Sequence, residues 1–291
     1  MNDAEFKALI RSVVSDVVRE VVAEAPVPAH PAPKEPPEPE ELVRGPKHRR
    51  LPTWRSTEAV EALRRTTPAR IVTGRTGARY LTESYLGLRA DHAIAIDAVE
   101  SQVAEGWPET QGWVPLKTRA KDHQEYLLHP DQGRRLDESS RSKCEKEADR
   151  SVDIQLIAGD GLSAVALLEN GPSLIKALQR ELSAAGFRLG RPLFVKHARI
   201  GVQDEIGVIT QSKATLILVG ERPGLGTGDS LSIYTAFAPK LGQDNSEKDC
   251  ISNVRSLGFV PDRAAARCAE LMKQTFAAGG GGVKLVTSEG S

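Results

Sequence analysis

From residue 151 to the end of the chain, short apolar runs alternate with stretches of helical period. No other feature constrains the fold as strongly. VDIQLIAGDG, PLFVKHARI, ATLILVGERPG and LSIYTAFAP read as strands. LSAVALLENGPSLIKALQRELSAAG and VQDEIGVITQ read as the helices between them, with Pro172 placed to restart the first and Gly186 to stop it. PDRAAARCAELMKQTFAAG is a last helix, with Pro261 in its first turn and Gly279 at its end. Strands apolar along their whole length need cover on both faces. The expected fold is therefore α/β, with a Rossmann-like, mostly parallel sheet in the C-terminal part. Ligands of such sheets bind beyond the carboxyl ends of the strands. That rule selects Asp160–Gly161, Arg199–Gly201 and Glu221–Gly228 as one rim.

The residues before 151 divide differently. In residues 1–24, Phe6, Leu9, Ile10, Val13, Val14, Val17, Val18 and Val21 recur at spacings of three and four, the stripe of an amphipathic helix. So Val-rich a helix is marginal alone and needs a partner surface. Nine of the 18 prolines lie between Pro26 and Pro52. Proline fixes φ and removes donors, so residues 25–55 read as an extended linker and the helix before them as a tethered module. Residues 56–150 read as a helical domain with no useful β-alternation, including a helix from about Gln132 to Glu147, and residues 151–291 as the sheet domain.

Composition excludes several classes. Lys plus Arg and Asp plus Glu both total 39, so the formal net charge is zero, which argues against nucleic-acid binding through bulk charge. Residues 44–80 do hold ten basic side chains against Glu58 and Glu61, a patch that suits an acidic surface or a subunit interface. With only Trp54 and Tyr80 interleaved, it makes a poor stacking platform for single strands. No apolar run approaches the roughly 18–20 residues of a membrane span. The N-terminus carries acids where a signal peptide needs basic residues, so the expectation is a cytoplasmic protein. Cys144, Cys250 and Cys268 show neither a disulfide framework nor metal-ligand spacing, and the six histidines form no helical metal pair. No metal site and no Ser/His/Asp arrangement stands out, so no catalytic residue is assigned to this chain.

Three features near the rim have two readings each. VGERPGLGTGDS lacks the Gly-Lys-Ser/Thr of a P-loop and the spacing of a dinucleotide fingerprint. It is either a glycine-rich turn between strands or a loop that lets backbone approach a ligand. Glu221, at the end of an apolar strand, is either held in a structural pair or accepts a hydrogen bond from a ligand donor. Cys250, on a polar loop beside Asp249, reads as a packing residue, since a neighbouring acid disfavours a thiolate.

The ordered motifs LRRTTPARIVTGRTGAR, HPDQGRRL, GDGLSA, QDEIG, LVGERPGLG followed by DSLS, and CISN resemble the small (light) subunit of ethanolamine ammonia-lyase over about residues 57–275. The resemblance implies a share in converting ethanolamine to acetaldehyde and ammonia with adenosylcobalamin. The radical chemistry would lie on a large TIM-barrel subunit, and this chain would complete the cobalamin site, within a trimer of heterotetramers. It implies three cofactor contacts: Ile200, where the family usually has Val, Glu221 and Cys250. The chain has no Asp-x-His-x-x-Gly motif to supply a histidine to cobalt, which fits base-on binding. The N-terminal helix is similar in kind to extensions that address family members to a bacterial microcompartment. The competing reading is a non-catalytic phosphate- or nucleotide-binding regulatory protein.

Overall fold

A computed structural model of the chain describes residues 57–67 and 69–288. The expected amphipathic helix of residues 1–24 and the expected proline-rich linker of residues 25–55 lie outside the described residues. Helix α1 (Thr57–Arg65) leads to a two-stranded hairpin, β1 (Arg75–Thr76) and β2 (Arg79–Tyr80), and then to the long helix α2 (Thr82–Glu100). Short helices α3 (Trp107–Thr110) and α4 (His123–Leu128) flank β3 (Val114–Lys117), and α5 (Glu138–Glu147) closes this part. The C-terminal part runs β4 (Ile154–Gly159), α6 (Ala164–Ala184), β5 (Leu189–Lys196), α7 (Val202–Thr210), β6 (Ala214–Gly220), β7 (Leu231–Phe237), β8 (Lys248–Val254), α8 (Pro261–Ala278) and α9 (Val283–Ser288).

Six strands form one sheet in the order β3-β5-β4-β6-β7-β8. The first four are parallel, and β7 and β8 extend the sheet antiparallel from β6. The α/β expectation with a mostly parallel sheet holds. Period-two alternation splits the apolar residues between two layers. Leu156, Ala158, Leu216 and Leu218 face α6 and α8, while Ile157, Leu193, Ile217 and Val219 face the layer that includes α7.

Four local readings are corrected. Residues 114–117 form β3, paired in register with β5 from Val114↔Leu193 to Lys117↔Lys196. VPLK is too short, and its proline too untypical of a strand, for alternation to reveal it. As an edge strand it tolerates the proline. The expected helix from Gln132 to Glu147 is instead a single 3-10 turn (Gln132–Arg134) followed by α5, because Asp137 takes extended backbone and caps α5 by accepting from Ser140 N at 2.6 Å. Pro172 does not restart a helix: α6 runs through it. The carbonyl that the proline leaves without an amide belongs to Leu168, which is exposed and can be hydrated, while Leu167, Leu174, Ile175 and Leu178 bury the opposite face. CISN lies on strand β8 and not on a loop, since its pairing with β7 spans Tyr234↔Cys250. The helix stops expected at Gly186 and Gly279 are present: both have positive φ, 89° and 65°.

Candidate functional site

The chain order creates a crevice at the carboxyl ends of the parallel strands. From β4 the chain crosses by α6 on one face to β5, and from β5 by α7 on the other face to β6. The loops after the neighbouring strands β4 and β5 therefore diverge, which is the geometry that opens a binding crevice. A cleft of about 790 Å³ lies there. Its apolar wall includes Leu162, Ala198, Ile200 and Val219, and its polar lining includes Arg134, Arg135, Glu221, Arg222 and Tyr234.

Asp160 ties the crevice together. It is buried at the end of β4, and its carboxylate accepts from the backbone N–H of His197 (2.8 Å), Ala198 (3.0 Å) and Gly161 (2.9 Å). Burial is the largest influence and lifts its pKa to about 6, against the three amides that favour the charged form. The same staple holds His197 in a left-handed conformation, φ 59°, as the chain turns from β5 toward α7. The His197 ring stacks on Tyr126 at 5.5 Å between centroids, and burial depresses its pKa to about 4, so it is neutral. The Tyr126 hydroxyl donates to Ala198 O at 2.9 Å, and the Arg199 guanidinium covers the Tyr126 ring at 4.3 Å. Gly161 allows the close packing that this needs. Its φ is 64°, and a side chain there would collide with the Gly220 backbone.

Two of the three implied contacts, Ile200 and Glu221, line the cleft. Ile200 sits in the turn after β5, four residues past the strand's end. Glu221 is not paired with Arg222. Its carboxylate accepts from Ser232 Oγ (2.6 Å), Ser230 Oγ (2.8 Å) and Asn253 N (2.8 Å), joining the ends of β6, β7 and β8. Cys250 is exposed on the edge strand β8 and is not part of the cleft lining, but its thiol interacts with Tyr234 and Ser232, which are. Partial burial of the sulfur, with the Glu221 charge adding, raises the thiol's pKa, so a thiolate is disfavoured. Burial, with Cys250 and the Glu221 charge adding and Ser232 opposing, pushes the Tyr234 phenol up to about 12.

The glycine-rich segment resolves toward a turn. Residues 223–228 bend away from the cleft: Gly226 N donates to Asp91 O, Arg70 donates to Leu225 O, and Ser163 Oγ donates to Gly228 O at 2.5 Å. The segment anchors helix α2 to the sheet. Sequence reasoning missed the wall that the α4–α5 region supplies, Tyr126, Pro130, Arg134 and Arg135. The signal was present in HPDQGRRL, but only the fold brings it against β5. It also missed the buried ion pair of Lys248 with Asp204, 3.0 Å apart, whose members lie 44 residues apart in the chain.

The family model for the ethanolamine ammonia-lyase light chain matches residues 57–286. The chain belongs to that family. The small subunit of ethanolamine ammonia-lyase from Clostridium acetobutylicum is 40% identical over 202 residues, covering 69% of this chain and 84% of its own. The small subunit from Clostridium perfringens is 37% identical over 228 residues (78% and 77%), and that from Lachnoclostridium phytofermentans 41% over 219 (75% and 74%). In this ethanolamine ammonia-lyase light chain the cleft joins an apolar wall to a lining that includes Arg134, Arg135 and Arg222. Nothing supports the alternative of a phosphate- or nucleotide-binding regulatory protein, whose supposed loop faces away from the cleft. Among the described residues there is no cluster of three or more candidate metal ligands, and no helix is long and apolar enough to cross a membrane.

Proposed function

We propose that the chain is the non-autonomous small subunit of an adenosylcobalamin-dependent ethanolamine ammonia-lyase and that its cleft forms one side of the cofactor site. The observation that carries this reading is the cleft at the switch point, which gathers Ile200 and Glu221 and has Cys250 beside it through Tyr234 and Ser232. Ligand pockets of about 300–1,000 Å³ bury most of a drug-sized molecule. A whole corrin with its nucleotide tail needs more cover than this cleft gives, so the large subunit would close the site. When bound, adenosylcobalamin supplies the carbon-centred radical that starts the elimination of ammonia from ethanolamine.

In this scheme the present chain binds and orients. Ile200 and Val219 wall the apolar part of the tail, Glu221 accepts from a cofactor donor, and Cys250 contacts it without thiolate chemistry. Cobalamin would bind base-on, with its own benzimidazole below the cobalt. The substrate residues would belong to the large subunit, in a trimer of heterotetramers. Residues 56–150 would carry the subunit interface and residues 151–291 the cofactor. The exposed apolar side chains Tyr85, Leu86, Ile94 and Ile96 of α2 support the first assignment. The enzyme would work in the cytoplasm, with residues 1–24 as an address to a microcompartment.

The test is coexpression with a large subunit and an ammonia assay with ethanolamine. Activity should require both chains and adenosylcobalamin. Ammonia release by the small chain alone, or by the complex without the cofactor, refutes the reading.

A further inference from the structure

The charges lining the cleft are unequally committed. Each of its carboxylates already has partners within the chain. Asp204 is bridged by Lys248 at 3.0 Å, Glu221 takes two hydroxyls and an amide, and Asp244 accepts from Ser246 N at 2.8 Å. The guanidiniums of Arg134, Arg135 and Arg222 line the same cleft, and none makes a hydrogen bond or ion pair among the described residues. Only the charge of Arg135 is felt at Asp204, through space. Arg134 is nevertheless positioned: its aliphatic stem lies against Gly201, where an added Cβ would stand 3.3 Å from Arg134 Cγ. A third cleft arginine, Arg199, shows the contrast. It is occupied by the Tyr126 ring and donates to Tyr126 O at 3.0 Å.

A cleft that holds its acids in contacts within the chain and leaves three guanidiniums open suits an anion. Arginine presents paired N–H groups that match the oxygens of a phosphate. We infer that Arg134 and Arg135, with Arg222 from the end of β6, hold the phosphodiester of the cobalamin nucleotide tail. This rests on the cofactor reading above and extends it to residues in the HPDQGRRL and GERPG motifs. The phosphodiester carries one negative charge and two free oxygens. Two adjacent arginines on the turn between α4 and α5 can therefore fix the tail, while the apolar wall at Ile200 and Val219 takes the ring system.

The experiment compares two corrinoids on the assembled complex of both subunits. Cyanocobalamin carries the tail with its phosphodiester, and cobinamide lacks the whole nucleotide. Dissociation constants for each are measured by equilibrium dialysis, at two salt concentrations, for the native complex and for complexes carrying Arg134→Gln with Arg135→Gln. The double variant should bind cyanocobalamin about tenfold to hundredfold more weakly, the range for losing hydrogen bonds to a charged group. Its affinity for cobinamide should be unchanged, and the salt sensitivity of cyanocobalamin binding should fall. The Arg134→Lys, Arg135→Lys variant keeps the charges and should recover part of the affinity. Equal loss for both corrinoids, or no loss for either, overturns the assignment while leaving the cofactor reading intact. So does failure of the double variant to associate with the large subunit on gel filtration, which would give these arginines to the subunit interface. A native complex that binds neither corrinoid removes the cofactor reading itself, and this inference with it.

Discussion

Replacing Glu221 by alanine separates a structural role from a binding role. The Glu221 carboxylate accepts from Ser230, Ser232 and Asn253, and so joins three strand ends in one contact. The β7–β8 pairing shifts register between Leu231 and Ile233, and Asn253, opposite this irregularity, has φ 58°. The carboxylate therefore holds a part of the sheet edge that regular ladder bonds do not. Hydrogen bonds to a charged group contribute about 1.5–3 kcal/mol each when shielded. Here Asn253 is exposed and the cleft is open, so water replaces part of each, and about 1 kcal/mol per bond is the better figure. Glu221→Ala should then cost about 3 kcal/mol, which lowers Tm by about 6–12 °C for a body of this size. Glu221→Gln keeps one oxygen for Ser232 and Asn253 and offers an amide to the Ser230 hydroxyl, so its cost should stay under about 1 kcal/mol. Thermal unfolding of the small subunit measures both. Cobalamin affinity of the assembled complex then isolates the binding role: the Gln variant should fold normally and yet bind about tenfold or more weakly if a cofactor donor needs the charged acceptor. An alanine variant that melts with the native protein refutes the staple, and a Gln variant with native affinity refutes the cofactor contact.

Asp160 should make stability fall as pH rises. Its folded pKa, about 6, lies above the ordinary 3.8, so between these values the native state holds a proton that the unfolded state has released; the loss is about 3 kcal/mol across that window, and Asp160→Asn should abolish this slope in urea titrations at pH 4 to 6.5. Lys248→Met leaves the Asp204 carboxyl buried without its cation and should cost about 3–5 kcal/mol, whereas adding Asp204→Leu to it should recover most of that in a double-mutant cycle; additive losses would show that the pair is not coupled. Cys250→Ser should leave the unfolding free energy within about 0.5 kcal/mol of the native value and turnover at saturating cofactor largely intact, because the residue is exposed and its raised thiol pKa disfavours a thiolate; loss of turnover in an intact complex would contradict this.

The sequence by itself determined the four central strands of the sheet, β4 to β7, and the strand ends at which the cleft lies. Ile154–Gly159 and Ala214–Gly220 are apolar at nearly every position, and residues buried on both faces are what parallel strands between helices require. Glycine and proline then fixed the ends of helices through local backbone chemistry, as at Gly186, Gly279 and Pro261. Those signals act within a few residues and need no knowledge of the fold. The ordered motifs carried the family, because a motif is itself a local string.

Only the tertiary structure decided which residues meet. β3 is visible as a strand only through its register with β5, since four residues containing a proline carry too little pattern of their own. The glycine-rich segment had two readings until α2 was seen to occupy it, at Asp91 and Ala98. The partners of Glu221 lie nine, eleven and 32 residues further on, and those of Asp160 up to 38, distances over which no helical or strand period carries information. Arg134 and Arg135 enter the cleft because α4, β5 and α7 converge there, and a charge without a partner is a property of three-dimensional neighbours. Local pattern therefore set the scaffold, while the chemistry of the cleft follows from chain crossings that bring distant side chains within hydrogen-bonding reach.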